Sequence, residues 1–233
     1  MRVGWTSRSQ PANPLRSAAK NARCMLTVVL LCLNLAYFLV ELSMGGGLDA
    51  FLRRWGLVPE DVFEALHGEA SPAALVTLLT SLFLHAGWLH LLSNLLYLAV
   101  FGVPVERRLG SVRFGLAYFG SGLAGSLAYV VAQPDATAPA VGASAAIAGV
   151  IAAHLVLFPG ATLGQLAPVV FFRVAAHAPT LVLLVVWLVA QLLSGVVSLT
   201  TSTGIAWWAH AGGFAGGLAL TSLMRPRYLR QSR

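Results

Sequence analysis

The chain has 233 residues, 58% of them hydrophobic and only 10% charged, with a formal net charge of +7. Soluble domains carry about 25% charged residues, so a mean hydropathy of +0.78 excludes a soluble body and points to one embedded in a membrane. Nucleic-acid binding proteins share such a basic balance, but here the charges sit in the termini and in short loops between apolar runs, which fits anionic lipid and cytoplasm rather than nucleic acid.

An apolar helix crosses a bilayer in about 20 residues. The first candidate span runs from Met25 to Met44. Cys24 and Cys32, at or inside it, have no loops to staple and read as small apolar fillers. A loop follows from Gly45 to about Ser71, carrying Arg53-Arg54-Trp55 and the acids Glu60, Asp61, Glu64 and Glu69. The next apolar run, Pro72 to Val103, has 32 residues. As one helix it would be about 48 Å long, against a hydrocarbon core of about 30 Å. A break is therefore expected at Gly87, with the second span from Trp88 to Val103 and residues Ala73 to Leu84 lying partly buried near the membrane surface. Four further spans follow: Phe114 to Val131, Ser144 to Leu157, Pro179 to Val197 and Trp207 to Leu223. The expected fold is an all-α polytopic membrane protein, a bundle of six transmembrane helices.

Lys and Arg set the orientation. The N-terminal tail holds Arg2, Arg8, Arg16, Lys20 and Arg23; the loop after span two holds Arg107, Arg108 and Arg113; Arg173 follows span four; the C-terminal tail holds Arg225, Arg227, Arg230 and Arg233. These alternate segments contain 13 of the 15 basic residues, so both termini are expected in the cytoplasm. The first tail is also Arg-rich and acid-free like a cleaved transit peptide, but the other loops obey the alternation without it. The organisation read from this is a basic tail over 1–24, a membrane domain over 25–224 with a first extracytoplasmic loop at about 45–87, and a basic tail over 225–233.

Within the spans, polar groups recur at one level. His90 and Asn94 stand in the first two turns of span two, Ser144 at the start of span four, and His210 in the first turn of span six. Spans two, four and six all run inward, so the four groups share a depth toward the outer leaflet. Ionisable groups inside a bilayer are costly and mark functional sites by default. A serine hydroxyl needs a base to become a nucleophile, and histidine is the usual one. Ala209, Gly213 and Gly217 repeat every fourth residue, the pattern that lets transmembrane backbones approach closely. Ser144, Ala148 and Ala152 offer the same spacing on span four, and contact of these two faces would bring Ser144 to His210. Gly142 frees the backbone before the serine. The unpaired N–H groups at the start of span four would stabilise an oxyanion, with His90 and Asn94, on one helix face, as added donors. His85 lies off that face and anchors the break. His154 and His177 read as structural hydrogen bonders. A metal site from His85 and His90 has poor spacing and lacks a carboxylate or cysteine partner; no metal and no cofactor is expected.

These residues resemble the rhomboid intramembrane serine proteases. The resemblance is carried by His85-x4-His90-x3-Asn94, Glu106-x-Arg108-x-Gly110, Gly142-x-Ser144 and Ala209-His210-x-Gly212-Gly213-x3-Gly217, with Thr80-Ser81-x-Phe83-x-His85 before them. It covers roughly Trp55 to Leu223. It implies a Ser144–His210 catalytic dyad without an aspartate, an oxyanion hole lined by the Ser144 amide, His90 and Asn94, and transmembrane protein substrates cut near the outer face. Glu106 and Arg108 suit an ion pair on the cytoplasmic side better than catalysis. Three positions depart from the family pattern: Ala145 where Gly often follows the serine, Ala148 where several members carry an aromatic, and Val76-Thr77 near the place of a Trp-Arg pair. Arg53-Arg54-Trp55 would then hold the first loop instead. The partners implied are the lipid bilayer and transmembrane substrates, with no nucleic acid and an open oligomeric state. The location implied is the plasma (inner) membrane of a bacterium. Two other classes stay open: a proteolytically inactive relative that binds membrane helices, and a small transporter.

Overall fold

The computed structural model describes residues 24–161 and 207–224, with Val189 alone between them. Span five and the residues His177 and Arg173 lie outside these, as do the two basic tails. Helix α1 is Met25–Ser43, α2 Leu48–Trp55, α3 Pro59–His67, and α4 the short mixed helix Pro72–Phe83. Then come α5 (Trp88–Leu109), α6 (Ser111–Ala132), α7 (Ser144–Leu157) and α8 (Trp207–Met224). Among the described residues there is no strand; one isolated antiparallel bridge joins Leu57 to Ala140.

Three of these helices, α1, α5 and α6, are long and apolar enough to cross a membrane. Their outward faces carry Val28, Leu39, Leu92, Leu96, Leu116 and Val131, all more than half exposed. Large exposed apolar faces of this kind need a partner, and a bilayer supplies one. The chain breaks where a 32-residue helix would outrun the bilayer: α4 ends at Phe83, Leu84 is extended, and α5 starts at Trp88. α5 then runs on past the expected end at Val103 to Leu109, with Pro104 inside it. Proline removes one helical hydrogen bond and clashes with the preceding turn. The helix absorbs this by opening into a π turn over Leu98–Gly102 just before it.

The loop expected at 45–71 is mostly helical. Pro59 starts α3, whose first turn carries Glu60 and Asp61, and Gly68 closes it with φ +80°. These are the start and stop signals of an exposed helix, hidden in the sequence by high charge.

α1 has no side-chain cap of its own. Glu106 from α5 supplies one. Its carboxylate accepts the N–H groups of Leu26 (2.9 Å) and Thr27 (2.8 Å), the Thr27 hydroxyl (2.6 Å) and the Ser111 hydroxyl (2.6 Å). The carboxylate, 1% exposed, is thus taken up by the starts of α1 and α6. Arg108 lies over the Phe158 ring, and the expected pairing with Glu106 is not the contact that occupies the acid.

The core is built on α5, α6 and α7 by Leu98, Phe101, Phe114, Tyr118, Val150 and Ile151. Around α8 the packing changes character. A Cβ on Gly213 would lie 2.1 Å from the Ala145 carbonyl oxygen, and one on Gly217 would lie 2.3 Å from Gly149 Cα. A Cβ on Gly212 would meet Ala128 and the Ala124 carbonyl. α8 thus wedges between α6 and α7 with backbones nearly touching, as small residues permit.

Candidate active site

The small-residue face on α8 is the expected one, Ala209, Gly213 and Gly217, but its partner face on α7 is rotated by one residue. Ala145 and Gly149 make the seam, not Ser144, Ala148 and Ala152. The rotation has a consequence. With Ala145 in the seam, Ser144 stands beside it and its hydroxyl is free to meet the next side chain of α8. His210 Nε2 lies 2.6 Å from Ser144 Oγ, in a half-buried contact between residues 66 apart in sequence. The Ala145 methyl turns toward α6, where a Cβ on Gly125 would lie 2.8 Å from it.

Gly142 and His90 form the opposite wall. Gly142 has φ +126°, a conformation that residues with a Cβ rarely adopt. A Cβ there would lie 2.6 Å from His90 Nε2, 2.7 Å from His90 Cε1 and 3.6 Å from Ser144 Oγ. Glycine therefore allows the imidazole of His90 to stand directly against the loop before Ser144. The Gly142 N–H donates to the Ser81 carbonyl at 2.9 Å, tying that loop to α4. Asn94, one turn beyond His90 and 5% exposed, donates through Nδ2 to the His90 carbonyl at 2.9 Å. It touches His90 through the backbone of its own helix.

His85 is 2% exposed, and its ring packs edge-on against that of His90, 5.2 Å between centroids. His154 is buried between Phe101 and Phe158, away from this cluster.

The segment before Gly142 is held from outside by the α2–α3 arm. Leu57 and Ala140 exchange two backbone hydrogen bonds (2.9 and 2.8 Å), Glu60 N–H donates to the Ala136 carbonyl, and Arg53 Nη1 donates to the Thr137 carbonyl at 2.8 Å. The Thr80 hydroxyl donates to the Trp55 carbonyl at 2.7 Å. The Arg53 side chain and the Trp55 carbonyl thus tie the first loop to its neighbours, while the Thr77 hydroxyl bonds within its own helix, to the Ala74 carbonyl. Sequence reasoning missed two neighbours of the site: the Ser81 carbonyl and Glu41, whose carboxylate accepts the His85 N–H at 3.0 Å. Glu41 carried a signal, being the sole acid in the first apolar run; a backbone carbonyl carries none.

A helix bundle whose interior pairs a serine at one helix start with a histidine in the first turn of another defines a membrane-embedded, serine–histidine class of site. The chain matches the Rhomboid domain family over residues 72–227 and belongs to the rhomboid family. Its relatives include the rhomboid-family protein YdcA of Bacillus subtilis (strain 168), 34% identical over 148 residues, which cover 63% of this chain and 65% of that one. RHOMBOID-like protein 5 of Arabidopsis thaliana is 31% identical over 155 residues, covering 65% of this chain and 45% of that one. Inactive rhomboid protein 1 of Drosophila melanogaster is 41% identical over 87 residues, covering 37% of this chain and 6% of that one. In each case the chain spans less than two thirds of its relative's length.

Proposed function

We propose that this protein is an intramembrane serine endopeptidase that cuts transmembrane protein substrates near the outer membrane face. The observation that carries the reading is the 2.6 Å approach of His210 Nε2 to Ser144 Oγ inside an apolar bundle. A half-buried hydroxyl against an imidazole is the arrangement that general-base activation of a nucleophile requires.

In this reading Ser144 Oγ attacks the scissile carbonyl as its proton passes to His210 Nε2. The tetrahedral oxyanion is met by the Ser144 N–H, with His90 and Asn94 on the same wall. His210 returns the proton to the leaving amine, which leaves an ester on Ser144. A water then repeats the sequence: His210 takes its proton, the hydroxide attacks the ester, and Ser144 departs with the proton from His210. Gly142, Gly213 and Gly217 serve by bringing the elements close, and Glu106 and Arg108 by fixing the far end. Water reaches Ser144 from the outer side through the depression under Gln133 to Val141. A helical carbonyl is shielded, so cut sites carry small side chains and nearby helix breakers, and substrates enter beside span five. The same reading takes six spans, both termini in the cytoplasm, and a bacterial plasma membrane as the setting.

A second reading is favoured by one observation: a relative 41% identical over 87 residues is named inactive. In that reading the bundle binds membrane helices without cutting them. Co-expression of a transmembrane substrate with wild type and with Ser144→Ala, alongside labelling by a fluorophosphonate probe, separates the two. A peptidase labels at Ser144 and loses cleavage on substitution; an inactive binder does neither. Equal cleavage by both forms rejects the peptidase.

A further inference from the structure

We propose that Glu41, on the first span, is a positioning residue for this site and acts through His85 on His90. The proposal rests on the peptidase reading above. Glu41 lies in the last turn of α1 and is 2% exposed. A carboxylate inside an apolar bundle is costly unless it is hydrogen-bonded. Its two oxygens sit 3.0 and 3.2 Å from the N–H of His85.

That N–H is one the fold cannot satisfy otherwise. The chain leaves α4 at Phe83, passes through extended Leu84 (φ −91°, ψ 153°), and makes the first hydrogen bond of α5 only at Leu91 N–H to the Gly87 carbonyl. His85 falls in the gap between the two ladders. An amide in such a gap at membrane depth needs an acceptor from elsewhere in the protein, and α1 provides it.

The grip fixes more than one amide. The His85 ring is enclosed, and among the described residues neither ring nitrogen has a hydrogen-bond partner. Packing, the backbone tether and the nearby Phe83 carbonyl set its plane. The two rings meet in a T-shaped contact at 5.2 Å and 66°, and His90 Nε2 is the atom pressed against Gly142 beside Ser144. The line Glu41, His85 amide, His85 ring, His90 runs from the first helix to the oxyanion wall. A glutamine in place of Glu41 still offers an acceptor oxygen; a leucine does not.

The test is the rate at which a fluorophosphonate labels Ser144 in the full-length protein in detergent, since the phosphoryl oxygen occupies the oxyanion position. Wild type, Ser144→Ala, His90→Ala, Glu41→Gln, Glu41→Leu and Glu41→Leu/His90→Ala are compared well below each protein's unfolding temperature. Glu41→Leu is expected to slow labelling on the scale of a lost oxyanion donor, about 10²-fold, and to lower kcat with KM unchanged. Glu41→Gln recovers most of the rate. The double variant is no slower than His90→Ala alone, because residues acting through one another are not additive. A Glu41→Leu protein that is folded and labels at the wild-type rate overturns the proposal, as does a double variant whose losses multiply. Should Glu41→Leu fail to fold, Glu41→Ser, whose hydroxyl is too short to reach, carries the same comparison. Absence of labelling in wild type sinks the peptidase reading itself. That outcome is distinct from failure of the positioning role alone, in which wild type labels and Ser144→Ala does not.

Discussion

At the scale of single residues, the geometry of the site depends on groups that are small or that accept hydrogen bonds, and not on Ser144 and His210 alone. Gly142 is the sharpest case. Gly142→Ala strains the backbone at φ +126°, at about 1–3 kcal/mol, and its methyl meets the His90 ring. The ring must move, so fluorophosphonate labelling of Ser144 is expected to fall by about 10²-fold while far-UV circular dichroism stays helical. Unchanged labelling would show that His90 has no part in stabilising the oxyanion. Glu106 predicts the opposite split, stability lost with the site intact. Glu106→Ala strands two N–H groups at the start of α1 and two hydroxyls. Each buried donor left unmet costs about 1–3 kcal/mol; the groups are coupled, so a total near 3 kcal/mol is expected. Thermal unfolding in detergent reads it, and a variant as stable as wild type would mean that water replaces the carboxylate.

At the scale of elements, the question is what makes each helix end, bend or approach its neighbour. α7 was legible to the residue, Ser144 to Leu157, because a glycine and loop residues bound an apolar run. The end of α5 was not, because the apolar run stops at Val103 and Arg107-Arg108 read as a loop, while the π turn that carries the helix past Pro104 has no sequence signature. α2 and α3 were hidden for a different reason: a charged amphipathic helix beside a membrane has the composition of a loop. The seam between α7 and α8 shows the limit of spacing arguments. Ser144-Ala148-Ala152 and Ala145-Gly149 are both small stripes on one helix, and only the glycine at 149 allows the contact with Gly217. Gly217→Ala places a methyl 2.3 Å from Gly149 Cα, where the neighbour is backbone and cannot turn aside. The helices must part, at roughly 3 kcal/mol for overpacking, lowering Tm by about 6–12 °C and weakening the Ser144–His210 contact. Gly46→Ala, with nothing within 4 Å, should change stability by less than about 0.5 kcal/mol. Equal effects of the two would show that the seam is looser than its geometry.

At the scale of the whole molecule, one arrangement has to serve charge, depth and chemistry together. The starts of α5 and α7 and the first turn of α8 meet at Ser144, His90 and His210, so the end of the bundle that holds this cluster is also the end that the α2–α3 arm covers. The end opposite is sealed by Glu106 at the starts of α1 and α6, beside Arg107, Arg108 and Arg113. The positive-inside bias then predicts which end faces the cytoplasm. It places the arm, with Glu60, Asp61, Glu64 and Glu69, outside. Replacing Cys24 and Cys32 with serine and alanine leaves a background in which single cysteines report sidedness. Glu69 is exposed just beyond α3, and Ser9 lies in the N-terminal tail. In intact bacterial cells a membrane-impermeant maleimide is expected to label Glu69→Cys and to reach Ser9→Cys only after permeabilisation. The reverse pattern would put Ser144 toward the cytoplasmic leaflet, and substrates would then have to be cut near their inner ends. Labelling of both in intact cells would require an even number of crossings between them, where α1 alone supplies one, and so would point to two populations of opposite orientation, the outcome expected only if the 13 basic residues of the alternate segments do not govern insertion.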